Sequence, residues 1–230
     1  MRLDFFLANA ADMTRKEARR CILGRRVTIN DELCRKAATH LADGDVVELD
    51  GQPLTLPGER YLMLNKPADV VSVTRDGEHT TVTDLLPPEL RRNLHVAGRL
   101  DLDTTGLVLL TTDGQWSHRV TSPRAKCSKR YRVELAEPWT PDMVSALEQG
   151  VTLKSDDRPT APAGVEPLSE KQLRLTLSEG RYHQVKRMLA AVGNHVTGLH
   201  REAIGAVTLD PELGPGEYRS LTEAEIDSFR

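Results

Sequence analysis

Short apolar runs that return at hairpin-like spacing limit what this chain can fold into more than any other feature. YLMLN, VVSV, HVAGR, LVLLTT, KRYRVEL, GVTLK, GVEPL, QLRLTLS, HVTGL and AVTL all fall between residues 61 and 209. Runs of this length bounded by Gly, Pro and Asp predict strands. They sit too close together for a regular βαβ repeat, so the expected core is a mixed, mostly antiparallel sheet with flanking helices. Those helices are expected at GQWSHRV, at PDMVSALEQ behind Thr140, at YHQVKRMLAAV stopped by Gly193, and behind the capping box Thr222-Glu223-Ala224-Glu225.

Upstream the pattern changes. RLDFFLANA reads as a short helix, and Thr14-Arg15-Lys16-Glu17 is a capping box that starts a second helix at Arg15. RRVTIND, with a turn at Asn30-Asp31, then ELCRK and DVVELD, predict a small sheet on which the helix pair packs. DGQPLTLPGE lacks periodicity and reads as a linker, which puts the domain boundary near residue 57. The fold class is α+β: a small N-terminal module over 1–57, then a larger domain over 58–230.

Composition matters mainly through where the charge lies. The net charge is −3, yet residues 15–36 carry a local excess of +5, residues 119–132 of +6 and residues 180–201 of +4. Basic windows in an otherwise acidic chain are expected where particular faces meet phosphates. No apolar run reaches the roughly 18–20 residues a membrane span needs, and the charged N-terminus does not read as a signal peptide. A cytoplasmic protein without membrane contact is expected. Cys21, Cys34 and Cys127 are odd in number and scattered, so they build neither a disulfide framework nor a metal knuckle.

Three segments carry candidate chemistry. In GRLDLDTTGLVLLTTDG, residues 98–114, a polar loop from Asp101 to Gly106 lies between two strands, a place where rigid scaffolds hold reactive groups. Asp101 and Asp103 are two apart and point to opposite sides of an extended chain, so one carboxylate is expected to act alone. An Asp-Thr-Gly of the aspartic-protease kind is interrupted here by a second Thr and has no second copy. In EGRYHQVKRMLAAVGNH, Val185, Met188, Leu189 and Val192 form one buried helical stripe. Lys186 lies on its border, placed to snorkel toward a buried carboxylate, while Arg187 lies nearly opposite, toward solvent or phosphate. His183 lacks neighbours at metal-ligand spacing, so no metal site is expected. In SKRYRVEL, Tyr131 alternates with Arg130 and Arg132, which sets an aromatic ring on one strand face and guanidiniums on the other. No phosphate-binding Gly motif occurs, and no nucleotide cofactor is indicated.

GRLDLDTTGLVLLTTDG resembles the signature of the ribosomal pseudouridine synthases of the small-subunit type, and EGRYHQVKRM and LHREAIG resemble their later motifs. RLDFFLANAADMTRKEARRCILGRRVTIND resembles the S4 RNA-binding module that precedes their catalytic domain. The resemblance implies an isomerase that converts one uridine of 16S rRNA to pseudouridine by base flipping, without a cofactor. Naked rRNA or a 30S assembly intermediate is the implied partner, and the protein is expected to be a monomer. By position, the family's essential aspartate falls on Asp101, its base-stacking tyrosine on Tyr131 and the basic partner of the aspartate on Lys186. Arg2, Thr14, Arg15, Lys16, Arg19, Arg20, Arg99, Arg130, Arg181 and Arg187 are the candidate RNA contacts. Arg25 and Asp31 stand where Gly is usual, and Thr112 where Asn is frequent. A noncatalytic S4-type assembly factor is the main alternative; a carboxylate-dependent hydrolase would need a second acid at a defined separation.

Overall fold

The computed structural model describes residues 1–154 and 156–230, which form two compact units, Met1–Gly58 and Glu59–Arg230. In the first, α1 (Leu3–Ala10) and α2 (Arg15–Leu23) pack on a four-stranded sheet of β1 (Val27–Ile29), β2 (Glu32–Leu33), β3 (Val47–Leu49) and β4 (Gln52–Leu54), ordered β2-β1-β3-β4. Leu3, Leu7, Ala18, Ile22, Val27 and Val47 fill the space between helices and sheet. The capping box is formed: Thr14 accepts from the Glu17 amide, and the Glu17 carboxylate accepts from that of Thr14. Asn30 and Asp31 both take positive φ at the β1–β2 turn, and Arg25 does so after α2. The chain thus adopts left-handed turns at residues other than glycine. The stretch read as a linker begins differently. Asp50 and Gly51 make a left-handed hairpin turn that returns the chain into β4, a strand whose exposed residues gave no apolar pattern.

The second unit is built on β5 (Tyr61–Lys66), β6 (His95–Ala97), β7 (Thr105–Thr111), β8 (Lys129–Leu135), β9 (Gly164–Ser169), β10 (Gln172–Leu177), β11 (Val196–Ile204), β12 (Val207–Thr208) and β13 (Tyr218–Ser220). The strand order is β13-β5-β7-β11-β8-β10-β9, with β6 on β7 and β12 on β11. All the pairings are antiparallel except β7 with β11, where His200 meets Thr105 and Arg201 meets Gly106. Helices α3 (Gly114–Thr121), α4 (Pro141–Gln149), α5 (Gln184–Ala191) and α6 (Glu223–Asp227) flank the sheet. No helix among the described residues is long and apolar enough to cross a membrane.

Two expected strands are absent. VVSV forms only an isolated bridge at Val71, because Ser72 Oγ accepts the Leu100 amide at 3.0 Å and the segment braces the 98–104 loop instead of joining the sheet. GVTLK is held as a loop by Thr160, whose hydroxyl accepts the Val151 amide and whose own amide donates to the Val151 carbonyl. In this unit one strand, β13, went unread because three residues without alternation leave no periodic signal.

Candidate active site

The loop between β6 and β7 carries Asp101 into a cleft of about 770 Å³. The neck of this loop has little freedom. Gly106 sits at φ +103°, and a Cβ there would lie 2.4 Å from the Arg201 carbonyl oxygen, so only glycine lets β7 meet β11. Arg201 is almost fully buried and donates to the carbonyls of Leu107 at 2.8 Å, Gly98 at 2.7 Å and Arg99 at 3.3 Å, clamping both ends of the loop. From beneath, the fully buried Lys66 ammonium donates to the carbonyls of Pro67 at 2.8 Å, Leu102 at 3.2 Å and Thr104 at 2.8 Å. Burial lowers this lysine to about 8, against the pull of Asp103, Asp101 and Asp69.

Within the loop, residues 101–104 form a turn in which the Thr104 amide donates to the Asp101 carbonyl at 3.1 Å. The expected opposition of the two carboxylates does not occur, since the turn swings both toward one cation. Lys186 Nζ lies 3.3 Å from Asp101 Oδ2 and 2.6 Å from Asp103 Oδ1. The Lys186 ammonium is raised: burial works against the charge, but the hydrogen bond to Asp103 and the field of Asp101 outweigh it. Asp103 is correspondingly lowered by its bond to Lys186. The other Asp101 oxygen lies 3.4 Å from His183 Nε2.

Lys186 reaches the loop because Val185, Met188 and Leu189 are buried as the helical stripe requires. The segment before α5 is locked by its own side chains. Gln184 accepts the Arg181 amide at 2.8 Å and donates to Glu179 at 2.7 Å. Tyr131, half-buried, lines the same cleft on the sheet floor, between Leu175 and Arg201 on the neighbouring strands. Asp101, Lys186 and Tyr131 therefore share one cavity, with His183, which the sequence reading weighed only as a metal ligand, and Lys66 and Arg201, which it did not single out, as neighbours.

The candidate RNA contacts disperse. Arg99 is exposed at the cleft. Arg130 faces away from Tyr131 and pairs with Glu202 at 3.4 Å. Arg181 pairs with Asp156 and Glu179, and Arg187 turns from solvent to the same Asp156. In the N-terminal unit, Arg2, Arg15 and Arg19 converge on Asp4, whose side chain is completely buried. Lys16 and Arg20 are exposed on α2, and Thr14 serves as its cap. Among the described residues, no group of three or more His, Cys, Asp or Glu could hold a metal.

Residues 60–191 match the family model for RNA pseudouridylate synthase, and residues 1–47 match that for the S4 domain. The chain belongs to the RNA pseudouridylate synthase family. Members are isomerases acting on RNA, and this chain is one of them. It is 53% identical to the ribosomal small subunit pseudouridine synthase A of Escherichia coli (strain K12), over 99% of each chain. It is 50% identical to the protein of that name from Vibrio cholerae serotype O1, covering all of this chain and 99% of that one. A crystal structure of a pseudouridylate synthase, 45% identical and matched over all of both chains, superposes with a TM-score of 0.74.

Proposed function

We propose that this pseudouridine synthase converts one specific uridine of 16S rRNA to pseudouridine in the cytoplasm, as naked rRNA or within a 30S assembly intermediate, acting as a monomer. The observation that carries the reading is the presentation of Asp101 in a cleft that Tyr131 also lines, with Lys186 Nζ 3.3 Å from its carboxylate. The isomerisation breaks the bond from N1 to the ribose, turns the base and bonds C5 to the same ribose carbon. The proton leaves C5 and N1 gains one, so nothing is imported and no cofactor takes part.

Asp101 is the essential group in this reading, and Lys186 holds its carboxylate in place across the 3.3 Å contact. Tyr131 stacks on the base extruded from the RNA, returning part of the unstacking free energy. Residues 1–57 dock the RNA through Arg15, Lys16, Arg19 and Arg20. Incubation with unmodified 16S rRNA, followed by carbodiimide mapping of pseudouridine, tests this. One new primer-extension stop is expected with the wild-type chain and none with Asp101→Asn, while that variant still binds RNA; near-normal turnover by Asp101→Asn refutes the assignment.

A further inference from the structure

Tyr182 is the most exposed large apolar side chain among the described residues, at 77%, and it stands at the rim of the cleft that holds Asp101. An aromatic ring left in water beside a reactive carboxylate needs a reason, and its setting supplies one. The ring lies against the imidazole of His183 with centroids 3.8 Å apart and planes 21° from parallel. His183 in turn reaches Asp101 and sits at φ +47° without capping α5 through its side chain. A non-glycine residue held in the left-handed region costs conformational free energy, and such strain is concentrated at functional sites.

The flanking backbone is fixed as well. Arg181 donates to the carbonyls of Arg158 and Pro159, and the Tyr182 carbonyl accepts from Arg187 at 3.3 Å. The phenol is thereby ordered on one face and open on the other. Exposed Arg99 lines the same cleft and offers a charge to a phosphate.

We propose that Tyr182 is a stacking platform for the RNA nucleobase adjacent to the uridine being modified, a contact that rests on the isomerase reading above. When one nucleotide leaves a stack, its neighbour loses a π-face as well. Tyr131 lines the cleft and serves the extruded base, while Tyr182 at the rim takes the face left open beside it. Because every base has a π-face, the contact contributes affinity with little sequence preference. His183, stacked on the ring and 3.4 Å from Asp101, holds the platform at a fixed distance from the carboxylate.

The test uses the full chain, 16S rRNA transcript, and the substitutions Tyr182→Ala, Tyr182→Phe and Tyr182→Trp. Binding is measured in the Asp101→Asn background and steady-state kinetics in the active protein. Tyr182→Ala is expected to weaken RNA binding and raise KM about tenfold with kcat within about twofold, a fold-change equivalent to ~1.4 kcal/mol. Phe and Trp are expected to restore both. Unchanged affinity in Tyr182→Ala, or failure of Phe and Trp to restore it, overturns the platform. The binding arm needs no turnover: if the wild-type chain makes no pseudouridine yet Tyr182→Ala binds RNA more weakly, the platform stands as an RNA contact and the isomerase reading falls alone.

Discussion

Asp4 gives the sharpest prediction, because geometry and simple electrostatics disagree about its sign. Its buried carboxylate accepts Arg2 Nε and Nη2 at 3.0 Å each, Arg15 Nη2 at 3.0 Å and Arg19 Nε at 3.1 Å. The hydrogen bond from Arg2, with those of Arg15 and Arg19, holds the carboxyl far below its usual range despite burial. Removing one member of a buried ion pair costs about 3–5 kcal/mol. Here the arginine side chains are 40, 50 and 54% exposed, so water takes up part of the loss and Asp4→Asn is expected to destabilise the N-terminal unit by about 2 kcal/mol. Hydrogen exchange of the α1 and α2 amides in the full chain measures it.

The effect on RNA is separate. The substitution removes a negative charge from a basic surface, which on charge count alone strengthens phosphate binding. If Asp4 serves to array the arginines, they lose their fixed directions. Reordering flexible side chains on binding costs about 0.5–1.5 kcal/mol each, so three of them at the low end weaken binding about tenfold. A filter-binding titration of Asp4→Asn against 16S rRNA decides the matter, and equal or tighter binding refutes the positioning role. The linkage to pH follows the depressed carboxyl. Its stabilisation is complete above about pH 4, the unfolded value, and disappears as pH falls through the folded one.

Two further expectations concern the loop that carries Asp101. Lys66, lowered to about 8 from 10.5, binds fewer protons folded than unfolded between those values, so stability should rise with pH across that window by on the order of 3 kcal/mol. Urea midpoints at both ends should show the rise in the wild type and lose it in Lys66→Met, whose turnover should also drop as Leu102 and Thr104 lose their donor. For Gly106→Ala, the new Cβ meets backbone rather than a movable side chain, and the φ of +103° adds strain. A loss of about 3 kcal/mol or more is expected in a thermal melt; a melting temperature within a degree of wild type would contradict the close approach of β7 and β11.

What could be read in the sequence followed from local period. The stripe of α5 located Lys186 on the border facing the loop, and strand alternation separated Tyr131 from Arg130, because both depend only on backbone geometry over a few residues. Long-range partners left no such trace. Lys66 ends an apolar strand and looks like its solvated terminus, since two of the three carbonyls that surround it come from residues 36 and 38 positions later. Asp4 sits among apolar residues of α1 without any sign that arginines 11 and 15 positions on would close over it. The one available signal was the oddity itself: a charge on an apolar face must be paired. Arg187 was misread for the same reason, as its helical position pointed outward and only the arrival of Asp156 turned that direction inward.

The Arg201 clamp bears on how the protein folds. Its acceptors lie 94 to 103 positions earlier in the chain, so the neck of the Asp101 loop is fixed by contacts of very high sequence separation, whereas the Lys66 contacts inside the loop span 38 positions or fewer. Closing so long a span carries an entropic cost that local contacts do not. The strands β5, β6 and β7 pair across shorter spans than that, so they can form while the neck of the loop is still unclamped. A partly folded chain can thus hold its carboxylate between paired strands without the fixed loop geometry, which is complete only once β11 has docked on β7.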